Sequence, residues 1–167
     1  NPFEALSKSS YGTRNCLEFC INNNIKRFIY FSTLQVYGDN NRITESDNVL
    51  CRNDYALTHY FAEQYVRMFS QYGIDFIILR PSNIYGPFES STVNRWSLVP
   101  GCFCKEAKIN AKIKLLSSGK QKRDFISLED VFGFTFHLIK NFESFKNEVY
   151  NLASGDVHAI IELAHLV

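Results

Sequence analysis

Two short stretches of the chain carry hydroxyl groups that could exchange a proton with a ligand. FSTLQVYG places Ser32 and Thr33 at the end of an apolar run, and YALTH places Tyr55 one helical turn before His59. A tyrosine beside a Ser or Thr hydroxyl suits proton transfer at a carbonyl or alcohol oxygen, because the tyrosine exchanges the proton while the other hydroxyl holds the oxygen. A purely structural alternative is that Tyr55 is a half-buried helix aromatic and that Ser32 and Thr33 cap a strand end.

The elements around these residues predict that the two stretches meet. Two short, apolar, β-branched segments flank a helical pattern, in which Asp54 is the expected N-cap and Gly73 the expected end. The segments are IKRFIYFS (25–32), DYALTHYFAEQYVRMFSQY (54–72) and IDFIILR (74–80). Strand, helix and strand at this spacing form a βαβ unit with parallel strands, and ligands of such sheets bind beyond the carboxyl ends of the strands. We therefore expect Thr33, Tyr55 and the residues after Arg80 at one edge of the sheet.

The rest of the chain continues the α/β pattern. We expect a helix over 2–23, a helix over 97–108, a short strand over 111–116, a basic turn over 117–124, a helix over 127–142, a strand over 147–153 and a last helix after residue 153. The first part of the chain therefore indicates a portion of a doubly wound parallel sheet. The second part indicates a smaller α/β lobe.

Composition excludes several classes of function. The chain has 167 residues, a net charge of +1 and 46% hydrophobic residues, which indicates a globular protein without a nucleic-acid or membrane surface. No apolar run approaches the roughly 18 residues of a membrane span. The five cysteines lack the spacing of a zinc site, so we expect free thiols, no metal and a cytoplasmic location.

Four motifs in a fixed order resemble one enzyme family. They are STLQVYG, YALTH, LRPSNIYGP and KQKRDFISLEDV. Together they resemble the extended short-chain dehydrogenases/reductases, that is, the NAD-dependent epimerase/dehydratase family of nucleotide-sugar enzymes. The resemblance implies that residues 1–90 are the C-terminal portion of a dinucleotide-binding Rossmann domain and that residues 91–167 are part of a substrate-binding lobe.

The resemblance also implies roles for individual residues. Thr33 corresponds to the family's catalytic Ser or Thr, Tyr55 to its acid/base tyrosine and His59 to the lysine that follows one turn later. Cofactor contacts are implied for Ser32, Tyr55, His59, Pro81, Ser82, Asn83 and Ile84. Substrate contacts are implied for Asn83, Val99 and Arg123, and the guanidinium fork of Arg123 suits a diphosphate.

Position 59 departs from the family pattern. A lysine there keeps a permanent positive charge beside the tyrosine, which favours the phenolate, and also hydrogen-bonds the nicotinamide ribose. A histidine is shorter and, with an ordinary pKa near 6.5, is mostly neutral at pH 7. We therefore expect His59 to weaken catalysis more than binding.

Two further departures concern the cofactor and the reaction. No glycine-rich dinucleotide fingerprint is present in these residues, so we interpret them as an internal portion of a longer protein. Leu34 and Gln35 stand where the family's dehydratases carry an Asp-Glu pair. Without those carboxylates, elimination of water has no evident acid or base.

These observations predict an NAD(P)-dependent nucleotide-sugar epimerase or reductase that uses NAD or NADP, takes a nucleotide-sugar substrate and forms a homodimer. The family often dimerises through the helix that bears Tyr55 and the helix before it. One alternative is a non-catalytic NAD(P)- or nucleotide-sugar-binding protein in which His59 replaces the catalytic lysine. Another is that the 167 residues have no activity of their own.

Overall fold

The computed structural model describes residues 2–38, 42–87 and 98–167. In chain order the elements are α1 (Pro2–Ala5), a π-helical turn (Leu6–Tyr11), α2 (Gly12–Asn22), β1 (Arg27–Phe31), a 3₁₀ turn (Leu34–Tyr37), α3 (Asp54–Phe69), a second 3₁₀ turn (Ser70–Tyr72), β2 (Asp75–Pro81), β3 (Asn83–Tyr85), α4 (Val99–Asn110), β4 (Lys122–Ser127), α5 (Leu128–Lys140), α6 (Phe142–Phe145), β5 (Glu148–Leu152), β6 (Val157–Ala159) and α7 (Ile160–Leu166).

The first sheet has three strands in the order β1-β2-β5, and both pairings are parallel. Phe31 lies opposite Leu79, and Pro81 lies opposite Leu152, so all three strands end at the same edge. Helix α3 connects β1 to β2, and the predicted βαβ unit is thereby confirmed. This connection brings the residues after β1 and the residues after β2 to one rim.

The core of this sheet explains why α2 and α3 have apolar faces. Leu17 and Cys20 of α2, together with Val66 of α3, pack in one cluster with Tyr30 and Ile78 of the strands. Because side chains alternate along a strand, the neighbours of Ile78 on β2 point to the opposite face, and they are buried as well. Strand β2 is therefore a central strand covered on both faces, as its continuous apolar run predicts.

The second sheet also has three strands, in the order β3-β4-β6. Strands β3 and β4 are parallel, and β4 and β6 are antiparallel. Arg123 lies on β4 opposite His158. This register places the predicted substrate-binding arginine within a sheet rather than in a loop.

Contacts divide the chain into two compact units. Unit 1 comprises Asn1–Ser82 and Thr135–Leu152, and unit 2 comprises Asn83–Phe134 and Ala153–Val167. Residues 135–152 belong to unit 1 because β5 pairs with β2. The boundary predicted between residues 90 and 91 lies outside the described residues, and the division into 1–90 and 91–167 stays a prediction.

Several predicted elements differ from the structure. The N-cap of α3 is Asn53 rather than Asp54, since the Asn53 side chain accepts a hydrogen bond from the Ala56 amide. Strand β1 is an edge strand among the described residues, and Tyr30 is its one well-buried residue, so the expected burial on both faces is wrong.

The region after α4 also differs. Residues 111–116 are irregular rather than a strand, because Ile113 and Leu115 line a cavity beside α7 and are partly buried without strand pairing. Strand β4 begins at Lys122, inside the stretch that the sequence predicts as a basic turn. Strands β3 and β6 are three residues long each, too short to show a periodic pattern.

Candidate active site

Thr33 lies two residues beyond the end of β1. Its extended backbone starts the first 3₁₀ turn, and its Oγ1 accepts a hydrogen bond of 3.2 Å from the Gln35 amide. The side chain therefore caps the 3₁₀ turn, whereas the structural alternative predicts a cap of the strand end. Accepting this bond uses one lone pair of the oxygen, and Thr33 is 5% exposed.

Tyr55 lies in the first turn of α3, and this end of the helix is attached to the segment that follows Thr33. Asn53 caps the helix and also donates from Nδ2 to Gln35 Oε1 at 3.3 Å. Tyr55 is 47% exposed. Its backbone is thus fixed while its phenol ring remains accessible to a ligand.

His59 lies one turn after Tyr55, and the two rings are in contact. The ring centroids are 4.5 Å apart at an angle of 61°, an edge-to-face arrangement. His59 Nδ1 lies 2.9 Å from the Tyr30 hydroxyl. We call Thr33, Tyr55 and His59 the tyrosine site.

Burial sets the charge state of the His59–Tyr30 pair. Burial lowers the pKa of His59 below its ordinary value of 6.5, although the charge of Glu63 opposes this effect. Burial also raises the pKa of Tyr30, which therefore keeps its proton at neutral pH. The protonated Tyr30 phenol and Nδ1 of the imidazole share one hydrogen bond, and the tautomer of His59 decides which group donates.

The remaining predicted cofactor contacts of unit 1 lie at the strand ends. The Ser32 hydroxyl donates to Glu63, so it is engaged in an internal contact. Pro81 is buried at the end of β2, and the Ser82 amide donates to the Leu152 carbonyl at 2.8 Å. The partners Glu63 and Tyr30 were not predictable from the sequence, because they lie within ordinary helix and strand patterns.

The predicted substrate contacts of unit 2 line one cavity of about 220 Å³. The lining residues are Asn83, Ile84, Leu98, Val99, Pro100, Gln121, Arg123, Phe125 and Ile160. The structure thus brings Asn83, Val99 and Arg123 together, and it adds Gln121 and Phe125, which sequence reasoning missed. We call this the arginine cavity.

Strand β4 positions Asn83 and Arg123, two of the three polar residues that line the arginine cavity. Asn83 Nδ2 donates to the backbone carbonyl of Asp124 at 2.8 Å, and the Asp124 carboxylate accepts bonds from Ser154 and Gly155. Arg123 is exposed, and one of its guanidinium nitrogens donates to the Lys122 carbonyl. An amide and a guanidinium beside apolar walls can bind a ligand in which an anionic group is attached to a planar or apolar group.

The described residues contain neither a cluster of metal ligands nor a helix that could span a membrane. Within the ranges 2–38, 42–87 and 98–167, no group of three or more His, Cys, Asp or Glu side chains is arranged to hold a metal ion. In the same ranges, no helix has the length and apolar character needed to cross a membrane. The five cysteines are free thiols, which agrees with the expectation from their spacing.

A family model decides the relationship suggested by the motifs. The model described as "NAD dependent epimerase/dehydratase family" matches residues 1–153. The chain belongs to this family. Membership confirms the resemblance, the Rossmann-type α/β fold class and the nicotinamide cofactor expected for the family.

Individual members of the epimerase/dehydratase family match most of the chain. A trifunctional UDP-glucose 4,6-dehydratase/UDP-4-keto-6-deoxy-D-glucose 3,5-epimerase/UDP-4-keto-L-rhamnose-reductase of Arabidopsis thaliana is 29% identical over 175 residues, which cover 99% of this chain and 25% of that protein. The human dTDP-D-glucose 4,6-dehydratase is 28% identical over 165 residues, which cover 97% of this chain and 45% of that protein. The chain spans between a quarter and a half of the length of these relatives.

A solved structure of the family has the same fold. The UDP-N-acetylglucosamine 4-epimerase of Methanobrevibacter ruminantium M1, solved in complex with UDP-N-acetylmuramic acid, superposes with a TM-score of 0.83 at 29% identity. The match covers 99% of this chain and 53% of that chain.

The tyrosine site offers an accessible phenol at Tyr55, and Thr33 and Ser82 follow strands β1 and β2 at one edge of the sheet. The contact of these residues with a nicotinamide stays a prediction. The glycine-rich turn that binds the pyrophosphate in Rossmann folds does not occur in the sequence of these 167 residues.

Proposed function

We propose that the full-length protein is an NAD(P)-dependent nucleotide-sugar epimerase or reductase. The observation that carries this proposal is that the start of α3, which bears Tyr55, is hydrogen-bonded to residues 32–37, which we call the Thr33 segment. The phenol of Tyr55 is left accessible. The arginine cavity in unit 2 offers the amide and guanidinium groups that a nucleotide diphosphate needs.

In this reaction Tyr55 moves a proton at the oxygen of the reacting sugar carbon. It accepts the proton when an alcohol becomes a ketone and returns it when the ketone is reduced. Thr33 donates its hydroxyl proton to the same oxygen and fixes the position of that oxygen. A bound nicotinamide supplies or accepts the hydride.

Epimerisation or reduction is favoured over dehydration. Elimination of water needs a group that removes a proton from carbon, and the positions used for this in the family's dehydratases are Leu34 and Gln35. The Gln35 amide oxygen is bonded to Asn53, which gives it a structural role. Neither side chain can act as an acid or base near pH 7.

A non-catalytic binding protein is the second candidate, because the His59 imidazole is hydrogen-bonded to Tyr30 and its burial lowers its pKa below the ordinary value. Mass spectrometry and nicotinamide absorbance distinguish the candidates, with the full-length protein supplied with UDP-, GDP- and dTDP-sugars, with their keto derivatives, and with oxidised or reduced nicotinamide cofactor. We expect a product of unchanged mass for an epimerase, or one heavier by two hydrogens for a reductase. A product lighter by one water would contradict the proposal, and cofactor binding without turnover would favour the second candidate.

The role of Arg123 gives a separate prediction. Arg123→Ala in the full-length protein should weaken binding of the nucleotide sugar by about 1.5–3 kcal/mol, because a charge-assisted hydrogen bond is lost. Titration calorimetry measures this change. Lys122→Ala is the matched control, since Lys122 is an exposed cation on the same strand that does not appear among the lining residues of the cavity. Equal affinities for wild type and Arg123→Ala would contradict the assignment.

We further propose a homodimer formed through α3 and the helices before it. Leu57, Phe61 and Met68 lie on one stripe of α3 and are 55%, 48% and 45% exposed. The preceding helical segment packs beside α3, where Ser10 donates to the Thr58 carbonyl. A second copy of this chain would cover such a stripe, and light scattering on the full-length protein measures its mass.

A further inference from the structure

A fully buried ion pair lies behind the tyrosine site. Glu63 of α3 is 0% exposed and Arg80 of β2 is 3% exposed at the side chain. Arg80 Nε donates to Glu63 Oε1 at 2.9 Å, and Nη2 donates to Oε2. This two-point contact fixes the planes of both groups relative to each other.

Each partner of the ion pair makes a further hydrogen bond to the Thr33 segment. Glu63 Oε1 also accepts from the Ser32 hydroxyl, and Arg80 Nη1 donates to the Tyr37 hydroxyl. The Tyr37 hydroxyl in turn donates to Asn151 Oδ1 of β5 at 2.9 Å. Ser32 and Tyr37 are the first and last residues of the Thr33 segment, so both of its ends are hydrogen-bonded to one ion pair.

The contacts within the buried pair stabilise the positive charge of Arg80. Burial disfavours the charge of Arg80, but the hydrogen bonds and the charge of Glu63, with the Tyr37 contact, hold the pKa of Arg80 above its ordinary value. In the described part of the chain, no buried side-chain nitrogen or oxygen lacks a hydrogen-bond partner. Because such pairs are poor sources of stability compared with apolar packing, a role in fixing geometry is the better explanation.

We propose that Glu63 and Arg80 are positioning residues, and that with Ser32 and Tyr37 they form a clamp that sets the place of Thr33 relative to Tyr55. Glu63 lies on the same helix as Tyr55, two turns later, so the clamp joins the element that carries the tyrosine to the segment that carries the threonine. The catalytic part of this inference rests on the proposed function.

The clamp can be tested by releasing each end in the full-length protein. Ser32→Ala removes the hydrogen bond to Glu63. Tyr37→Phe removes the hydroxyl that bonds Arg80 and Asn151, but it keeps the ring, whose centroid lies 4.7 Å from the Arg80 guanidinium. Both variants leave the ion pair in place. Tyr150→Phe is the matched control, since Tyr150 lies on β5 and its hydroxyl bonds only the Phe145 carbonyl among the described residues. Amide hydrogen exchange and steady-state kinetics are measured on all three.

Hydrogen exchange tests the geometry without reference to activity. We expect faster exchange in Ser32→Ala and Tyr37→Phe at the Gln35 and Val36 amides, which donate to Thr33, with no such change in Tyr150→Phe. Unchanged exchange at these amides in both variants would overturn the clamp.

Kinetics test the consequence for catalysis. We expect kcat to fall by about tenfold in each clamp variant, with the KM for the nucleotide sugar unchanged, because the reacting groups are misplaced while the binding groups of unit 2 are intact. A kcat equal to that of wild type, despite a loosened segment, would overturn the positioning role. A wild-type protein without turnover would overturn the proposed function instead, and hydrogen exchange would still decide the clamp.

Discussion

The His59 imidazole lies between two tyrosines that have different relations to it. It shares a hydrogen bond with the Tyr30 hydroxyl and contacts the ring of Tyr55 in an edge-to-face arrangement. The first contact explains how a histidine is accommodated at a position where the family has a lysine. The second contact places an imidazole beside Tyr55, where a lysine would supply a permanent positive charge that favours the phenolate.

Replacement of His59 by lysine should raise the turnover of the full-length enzyme. The expected gain is up to about tenfold, which corresponds to about 1.4 kcal/mol of preferential stabilisation of the phenolate. Because burial lowers the pKa of His59, wild type should recover part of this difference only below pH 6.5. Steady-state kinetics across pH measure both effects, with His137→Lys on the exposed face of α5 as the control. Loss of measurable activity in His59→Lys would show that the histidine is an adapted catalytic group.

The same pKa shift predicts a pH dependence of stability. The folded pKa of His59 lies below the unfolded value near 6.5, so the unfolded chain binds the proton more tightly. The free energy of unfolding should therefore fall as the pH drops through 6.5 towards the folded pKa, and the contribution is fully present above that range. Urea unfolding at several pH values should show a shallower decline for His59→Gln than for wild type. Parallel curves would mean that burial does not suppress the charge.

At the scale of elements, the start of α3 is the point on which the tyrosine site depends. Asn53 caps the helix and holds Gln35, so a single side chain fixes both the helix and the segment after Thr33. Asn53→Ala should lower the free energy of unfolding by about 1–2 kcal/mol, as the loss of a cap does. Asp54→Ala is the matched control and should cost about 0.5 kcal/mol through the helix dipole. Denaturant unfolding measures both values, and a larger loss in Asp54→Ala would contradict the assignment of the cap.

The long elements could be predicted from the sequence, because their apolar periodicity and their bounding residues agree. Gly73 ends the helical region with φ at 81°, a conformation that glycine adopts easily. The predicted N-cap of α3 differs from the observed one by one residue, because Asn53 and Asp54 are both good N-caps and only the backbone conformation decides between them. Strand β4 was missed because its pairing with β3 and β6 is a tertiary contact that a basic stretch does not signal.

The candidate site divides in the same way. The motifs predict which residues of unit 2 share a cavity, and the structure brings Asn83, Val99 and Arg123 together. They do not predict the pairing of Glu63 with Arg80, because the clamp joins residues that are 17 to 43 positions apart and lie on different elements. Buried polar partners of this kind are visible only after the strands and helices have been placed.

At the scale of the whole molecule, the chain carries two kinds of chemistry. Under the proposed function, the hydroxyl groups assigned to proton transfer lie in unit 1 and the polar groups assigned to the diphosphate lie in unit 2. The matched relatives are longer proteins, and the chain covers 25% and 45% of their length. Tests of activity therefore belong to the full-length protein.

The turnover of Tyr55→Phe in the full-length protein is the most direct test of the account. The phenylalanine keeps the ring and its contact with His59 but removes the hydroxyl that moves the proton. We predict that kcat falls by about 100-fold or more, as for the loss of a general acid/base, while the affinities for NAD(P) and nucleotide sugar are retained. Tyr72→Phe, which changes an exposed tyrosine in the turn after α3, is the control. Turnover of Tyr55→Phe equal to that of wild type would contradict the assignment of Tyr55 as the group that transfers the proton.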